Sequence, residues 1–241
     1  MENNLITYLD KRLQNKPEKE GLVRNPGPVI TISREVGCNA LKVARELASR
    51  LNQHDHENRW KVISKEILYE SAKELHLEPD RVNRFLKQTD RYTLDEILNT
   101  FSYKHFVSEK KIINTVIDVI HSFAMEGFCI IVGRGGNIIA KDIHNSLHIK
   151  MFADLEYRVS SVMENNPFNR KQAVEFIHRI ESERIAFRKS VTREIESEDL
   201  IHFDLMINRA SYSTEGVVGI ILEALKQKNI LVEYPQKVFI F

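Results

Sequence analysis

Short runs of aliphatic and β-branched residues alternate along the chain with longer stretches whose apolar positions recur every three or four residues. The first run, residues 29–33, breaks at Ser33-Arg34-Glu35 and turns through Gly37-Cys38-Asn39. Beyond the turn, Ala40, Ala44, Leu47, Ala48 and Leu51 form a helical stripe suited to packing on a sheet. Residues 60–64 are a second short strand candidate, and Ile67, Leu68, Ala72 and Leu75 return to helical spacing. Residues 78–98 are charged and broken by Pro79, the pattern of short helices inserted over a site. The spacing predicts a helix over 106–123 with Ile112, Ile113, Val116, Ile117, Val119 and Ile120 inward. The continuous apolar run 128–132 reads as a strand buried on both faces, ending in the tight turn Gly133-Arg134-Gly135-Gly136. Residues 147–152 form the next strand, followed by a helix over 154–164, a break at Asn165-Asn166-Pro167 and a long charged helix over 170–189. A short strand at 204–208 and a helix over 214–225, with Val217, Ile220, Ile221 and Leu225 inward, complete the pattern.

This rhythm predicts βαβ crossovers, hence an α/β domain with a mainly parallel sheet and helices on both faces. Ligands of such sheets bind beyond the carboxyl ends of the strands, so the turns after Ile32, Val132 and Phe152 matter most. A chain of 241 residues is long enough to bury one such core. Residues 1–28, weakly helical over 4–13 and then polar with Pro and Gly, read as an appendage and linker. The tail, residues 228–241, ends in the apolar KVFIF and needs cover, either as an edge strand or as an interface forming a homo-oligomer.

Composition narrows the function. At 42% hydrophobic and 29% charged residues, the chain is globular rather than disordered. Its net charge of +1 supplies no overall field for nucleic acid or a membrane surface, so anion binding must come from local clustering. No apolar run is long enough to span a bilayer and the N-terminus lacks a signal-peptide core, which leads us to expect a cytoplasmic protein. Cys38 and Cys129 have no CxxC spacing and read as reduced thiols, while His54 and His56, flanking Asp55, read as a solvated turn. No Ser-His-Asp or Cys-His arrangement is legible.

Three constellations carry candidate chemistry. Strand, small-residue turn and helix over 29–51 have the shape of a phosphate-binding loop, which aims backbone N–H groups and the positive end of a helix dipole at an anion. Against the pattern GxxxxGK[ST], however, Asn39 replaces the second glycine, Ala40 the lysine and Leu41 the hydroxyl. Arg34 at the entrance or Lys42 in the first helical turn would return positive charge; the plain alternative is an ordinary βα turn. At the second turn, Arg134 between glycines would grip a phosphate with its planar fork, or else is a solvated turn residue. The third group is Arg158, Arg170, Arg179, Arg184 and Arg188, with Glu181, Arg184 and Arg188 on one helical face. These suit a mobile lid that neutralises a transferring phosphoryl group, or a surface helix laced by pairs such as Arg179 with Glu183.

ITISREVGCNALKVARELA, CIIVGRGGNIIA, IKMFADLEYRVSSVME, IESERIAFRK and FDLMIN, in this order, resemble the cytidylate kinase-like family of the P-loop nucleoside monophosphate kinases, over roughly residues 29–225. The resemblance implies a three-layer P-loop NTPase fold over 29–227, with a monophosphate-binding helical insert at about 64–104 and a helical lid at about 154–192. It implies ATP with Mg2+, and a nucleotide as small-molecule partner. ATP phosphates would lie on Ser33, Arg34, Gly37, Cys38, Asn39, Ala40, Leu41 and Lys42. Arg134 matches a Gly-Arg pair that approaches the acceptor, and Glu181 and Arg184 stand where cytidylate kinases carry an Asp and an Arg that contact it. Arg34, Lys42, Arg158, Arg184 and Arg188 are the expected catalytic cations; no residue is marked as a metal ligand. The chain departs from the family at the loop lysine and hydroxyl, at Val132 in place of an acid and at Gly135 in place of an Asp. The leading expectation is ATP-dependent phosphoryl transfer to a nucleoside monophosphate or similar acceptor. The alternatives are a nucleotide-binding regulatory protein with a degenerate loop, and an interaction protein built on the tail.

Overall fold

A computed structural model describes residues 26–54, 59–64, 109–194 and 203–230. Most of the predicted appendage, nearly all of the predicted insert and the tail from residue 231 lie outside the described residues.

Five strands form one sheet: β1 (Val29–Arg34), β2 (Lys61–Ile63), β3 (Cys129–Val132), β4 (Ser146–Phe152) and β5 (Leu205–Asn208). Their order is β2-β3-β1-β4-β5, and every pairing is parallel. β1 is central, with Ile30 beside Ile130 on one side and Leu147 on the other. After β1 the chain builds β2 and β3 on one flank and then crosses to β4 and β5 on the other. The winding therefore reverses at β1, where the neighbouring connections leave in opposite directions and open a crevice at the carboxyl ends.

Alternation along the strands divides the core in two. Ile30, Ile32, Ile130, Val132, Leu147 and Ile149 face α1 (Ala40–His54) and α6 (Thr214–Gln227), packing with Val43, Leu47, Val217 and Ile221. Val29, Cys129 and Ile131 face the opposite layer, where α2 (Glu109–Glu126), the short α3 (Gly136–Ile139) and α5 (Arg170–Glu194) supply Ile113, Ile120, Ile139 and Phe187. The stripe expected on α1 is buried throughout, Leu47 completely, so Leu47→Ala would cost about 2–5 kcal/mol. α2 continues to Glu126, past the end at 123 that the spacing predicts, because the fully buried Ala124 carries its packed face onward. The Gly133–Gly136 turn leads directly into α3.

α4 (Leu155–Asn165) starts at Asp154, whose carboxylate accepts the Tyr157 N–H at 2.8 Å as an N-cap. α4 and α5 pair as a hairpin around their own small core of Val159, Val162, Ala173, Ile177 and Ile180. Val36, from the loop after β1, is buried in that core. The helices expected from sequence as a lid thus pack against the loop after β1 through Val36.

Candidate functional site

At the carboxyl ends of β1, β3 and β4 lies a cleft of about 800 Å³. The loop after β1, the Gly133–Gly135 turn and the inner sides of α4 and α5 line it. Seven basic residues (Arg34, Lys42, Arg45, Arg134, Lys150, Arg184 and Arg188) contribute to the lining against three acidic ones (Glu164, Glu181 and Glu183). The chain as a whole carries only +1, so this excess is local, as anion binding by this sequence requires.

The loop is held residue by residue. Arg34 offers its carbonyl to Arg184 Nη1 at 3.2 Å. Glu35 accepts the Ala153 N–H at 3.2 Å and lies 3.5 Å from Arg158 Nε, tying β1 to the start of α4. Val36 donates its N–H to Glu181 Oε1 at 2.5 Å. Gly37 adopts φ +92° with the Arg158 backbone directly behind it, leaving no room for a Cβ. Cys38 is buried, and burial followed by nearby Glu35 pushes its thiol up to about 11, so it is an inert core group. Asn39, in the left-handed region at φ 49°, donates from its amide to Ser161 Oγ at 2.8 Å. No acceptor among the described residues takes the N–H groups of Gly37, Asn39, Ala40 or Leu41, the set a phosphate would use.

Three guanidinium groups converge beside the loop. Gly133, at φ +79°, lets Arg34 lie across it: a Cβ there would sit 1.7 Å from Arg34 Nη1. Burial, then Arg184 and Arg134, holds the pKa of Arg34 well below the ordinary arginine value. Burial, then Arg184, pushes Arg134 down to about 10. Arg184 is lowered by burial, with Glu181 opposing. Glu181 is already engaged by Val36 and lies 3.6 Å from Arg158, so it does not balance all three charges. An anion bound among them would relieve both the desolvation and the repulsion.

Of the residues singled out in the sequence, Ser33, Arg34, Gly37, Asn39, Leu41, Lys42, Arg134, Glu181, Arg184 and Arg188 all line this cleft. Ala40 and Cys38 are buried in the core. Arg158 sits behind the loop between Glu35 and Glu181 and is absent from the lining. Arg170 pairs with Glu156 at 2.6 Å, and Arg179 pairs with Glu183 at 3.1 Å, as the surface-helix alternative anticipated for the latter. Sequence reading missed Glu35, Arg45, Lys150 and Ser161. Only Lys150 left a signal, a charged residue inside the largely buried SLHIKMF strand. Among the described residues no group of His, Cys, Asp and Glu could hold a metal, and no helix is long and apolar enough to cross a membrane.

Comparison with solved structures finds an uncharacterized protein from Eubacterium ventriosum at 22% identity and TM-score 0.59, covering 83% of this chain and 98% of that one. A shikimate kinase from Bacteroides thetaiotaomicron follows at 12% identity and TM-score 0.46, over 83% and 98%. A dephospho-CoA kinase from Campylobacter jejuni is similar at 12% identity and TM-score 0.37, over 84% and 97%. No curated protein sequence matches the chain. Residues 29–211 match the sequence profile of the cytidylate kinase-like family, a span that begins at β1 and ends just beyond β5. With its parallel sheet wound about β1, this chain has the α/β P-loop fold and belongs to the cytidylate kinase-like family.

Proposed function

We propose that the chain transfers the γ-phosphoryl group of ATP to a nucleoside monophosphate or a similar small phosphorylated acceptor. The observation that carries this reading is the convergence of Arg34, Arg134 and Arg184 beside unengaged backbone N–H groups in one cleft. Two phosphorylated ligands bring more negative charge than backbone donors alone would hold, and planar guanidinium forks suit phosphate oxygens. In this reading residues 29–227 form the kinase unit. The loop from Ser33 to Lys42 cradles the ATP phosphates, Arg134 approaches the acceptor, and Arg184 and Arg188 lie on the transferring group. Mg2+ fits as a companion of the nucleotide, since it commonly binds through phosphates, waters and one or two carboxylates; Glu183 and Glu164 line the cleft. The metal would neutralise charge on the phosphates, and the protein's part is orientation and electrostatic stabilisation.

The test is ATP consumption against a panel of nucleoside monophosphates, with Arg134→Ala as control. One acceptor should raise turnover above background, and Arg134→Ala should lower kcat/KM for it by about 100-fold. A second reading is favoured by the apolar Ala40 and Leu41 in the loop: a nucleotide-binding regulatory protein that does not turn over. It stands if no acceptor raises turnover while ATP still raises the melting temperature; if ATP does neither, both readings fail.

A further inference from the structure

The loop lacks its own lysine, and no cation on it stands in that place. Ala40 occupies the position and is 3% exposed. Lys42 is exposed at the rim, where it also borders a neighbouring depression with Arg45, Glu46 and Glu215. Arg34 is spread across Gly133.

Lys150 is placed differently. It lies on β4 directly beside Ser33 of β1, the residue that leads into the loop, and both line the cleft. Neighbouring strands are about 4.8 Å apart, so the Lys150 backbone lies one strand spacing from the loop entrance. Lys150 is half-buried, in a strand whose neighbours Ile149 and Met151 are fully buried, and its side chain has no hydrogen bond or ion pair among the described residues. Held on a rigid strand at the cleft, an ammonium with no partner among the described residues is available to an anion.

We propose that Lys150 supplies from β4 the ammonium group that the phosphate loop lacks, placing it on the β- and γ-phosphates of the bound nucleotide. The proposal rests on the phosphotransferase reading above. In the transfer, an acceptor phosphate oxygen forms a bond to the γ-phosphorus as the bond to the β–γ bridging oxygen breaks, and ADP leaves with that electron pair. Lys150 forms no covalent bond and stabilises the charge that moves onto the bridging oxygen.

The experiment compares wild type, Lys150→Met, Lys150→Arg, Lys42→Met and Lys171→Met, the last on the exposed start of α5. Calorimetry measures binding of MgATP and of inorganic tripolyphosphate, and circular dichroism confirms that each variant is folded. Lys150→Met should weaken both ligands at least tenfold, with Lys150→Arg recovering part of the affinity and Lys171→Met matching wild type. With an acceptor that turns over, kcat should fall about 100-fold while the acceptor KM holds. If wild type binds both ligands and Lys150→Met binds them equally well, the assignment is overturned. A loss found in Lys42→Met alone overturns it in favour of the rim lysine. If wild type binds neither ligand, the phosphotransferase reading falls and the assignment falls with it.

Discussion

At the scale of single residues, the loop depends on backbone geometry that side chains would spoil. A Cβ on Gly37 would lie 2.7 Å from the Arg158 carbonyl oxygen, a backbone atom that does not yield, at a φ that L-residues rarely adopt. Gly37→Ala should therefore lower stability by about 1–3 kcal/mol, read from the urea midpoint. Arg134 has the opposite character: its charge is desolvated and repelled by Arg184, so it costs the ligand-free protein stability. Arg134→Met should stabilise the ligand-free form by about 1 kcal/mol, after allowing for its partly buried position, while removing anion binding; a lower melting temperature in the variant would contradict this. His148 is a buried polar group of another kind. Ser146 Oγ donates to the Ile143 carbonyl at 2.6 Å, which leaves it to accept from His148 Nε2, while Nδ1 accepts from Thr31 Oγ1 at 2.8 Å. We accordingly assign the neutral Nε2–H tautomer. Burial lowers the His148 pKa, with Asp204 opposing, so the unfolded chain binds the proton more readily. That contribution to stability is complete above the unfolded value of about 6.5 and is lost as pH falls below it. Burial raises the Asp204 pKa, but Lys228 and the His148 N–H outweigh it to a net lowering; this contribution is lost at more acidic pH. His148→Gln should flatten the stability slope of wild type between pH 7 and 5 in chemical denaturation.

At the scale of elements, the α4–α5 hairpin is the clamp on the loop after β1. Its core takes in Val36, its Glu181 accepts the Val36 N–H, and its Arg158 stands behind Gly37. Glu181 and Arg158 thus shape the loop before any ligand arrives, a duty separate from touching a nucleotide. Glu181→Ala would leave the Val36 N–H without its acceptor and Arg158 with Glu35 as its remaining carboxylate partner here. Losing a hydrogen bond to a charged acceptor costs about 1.5–3 kcal/mol, which predicts that the Val36 amide exchanges with solvent about 10–100 times faster. Amide exchange followed by NMR or mass spectrometry checks this, and unchanged Val36 protection would show that the apolar contacts alone hold the loop. Because Val36 sits in the hairpin core, any displacement of the hairpin must expose Val36 or carry the loop along, coupling hairpin position to loop shape.

At the scale of the whole molecule, a net charge of +1 conceals a cleft with a strong basic excess. Polyphosphate should therefore stabilise the fold by about 2.7 kcal/mol at 100 times its Kd, visible as a rise in melting temperature. The rise should shrink in 0.5 M salt, where screening acts over shorter distances, and a salt-independent rise would argue against a charge-driven site.

The periodicity of the chain determined the parallel α/β class and the strands and long helices of the described regions, because those patterns follow from which face each residue buries, but not the short α3. It also marked the two glycine-bearing turns, since Gly37 and Gly133 need backbone conformations that other residues avoid. Tertiary structure alone decided the partners. Glu35 joins Ala153 across 118 positions, Glu181 reaches Val36 across 145, and Lys150 comes beside Ser33 only through strand register. These contacts are absent from any local pattern, because a carboxylate in a charged helix reads the same whether it faces water or a backbone N–H. The arginines were legible as candidates, but their division into cleft residues such as Arg134 and Arg184 and a support such as Arg158 was not. That division depends on which side of the loop the lid hairpin packs, and the burial of Val36 among its helices settles it.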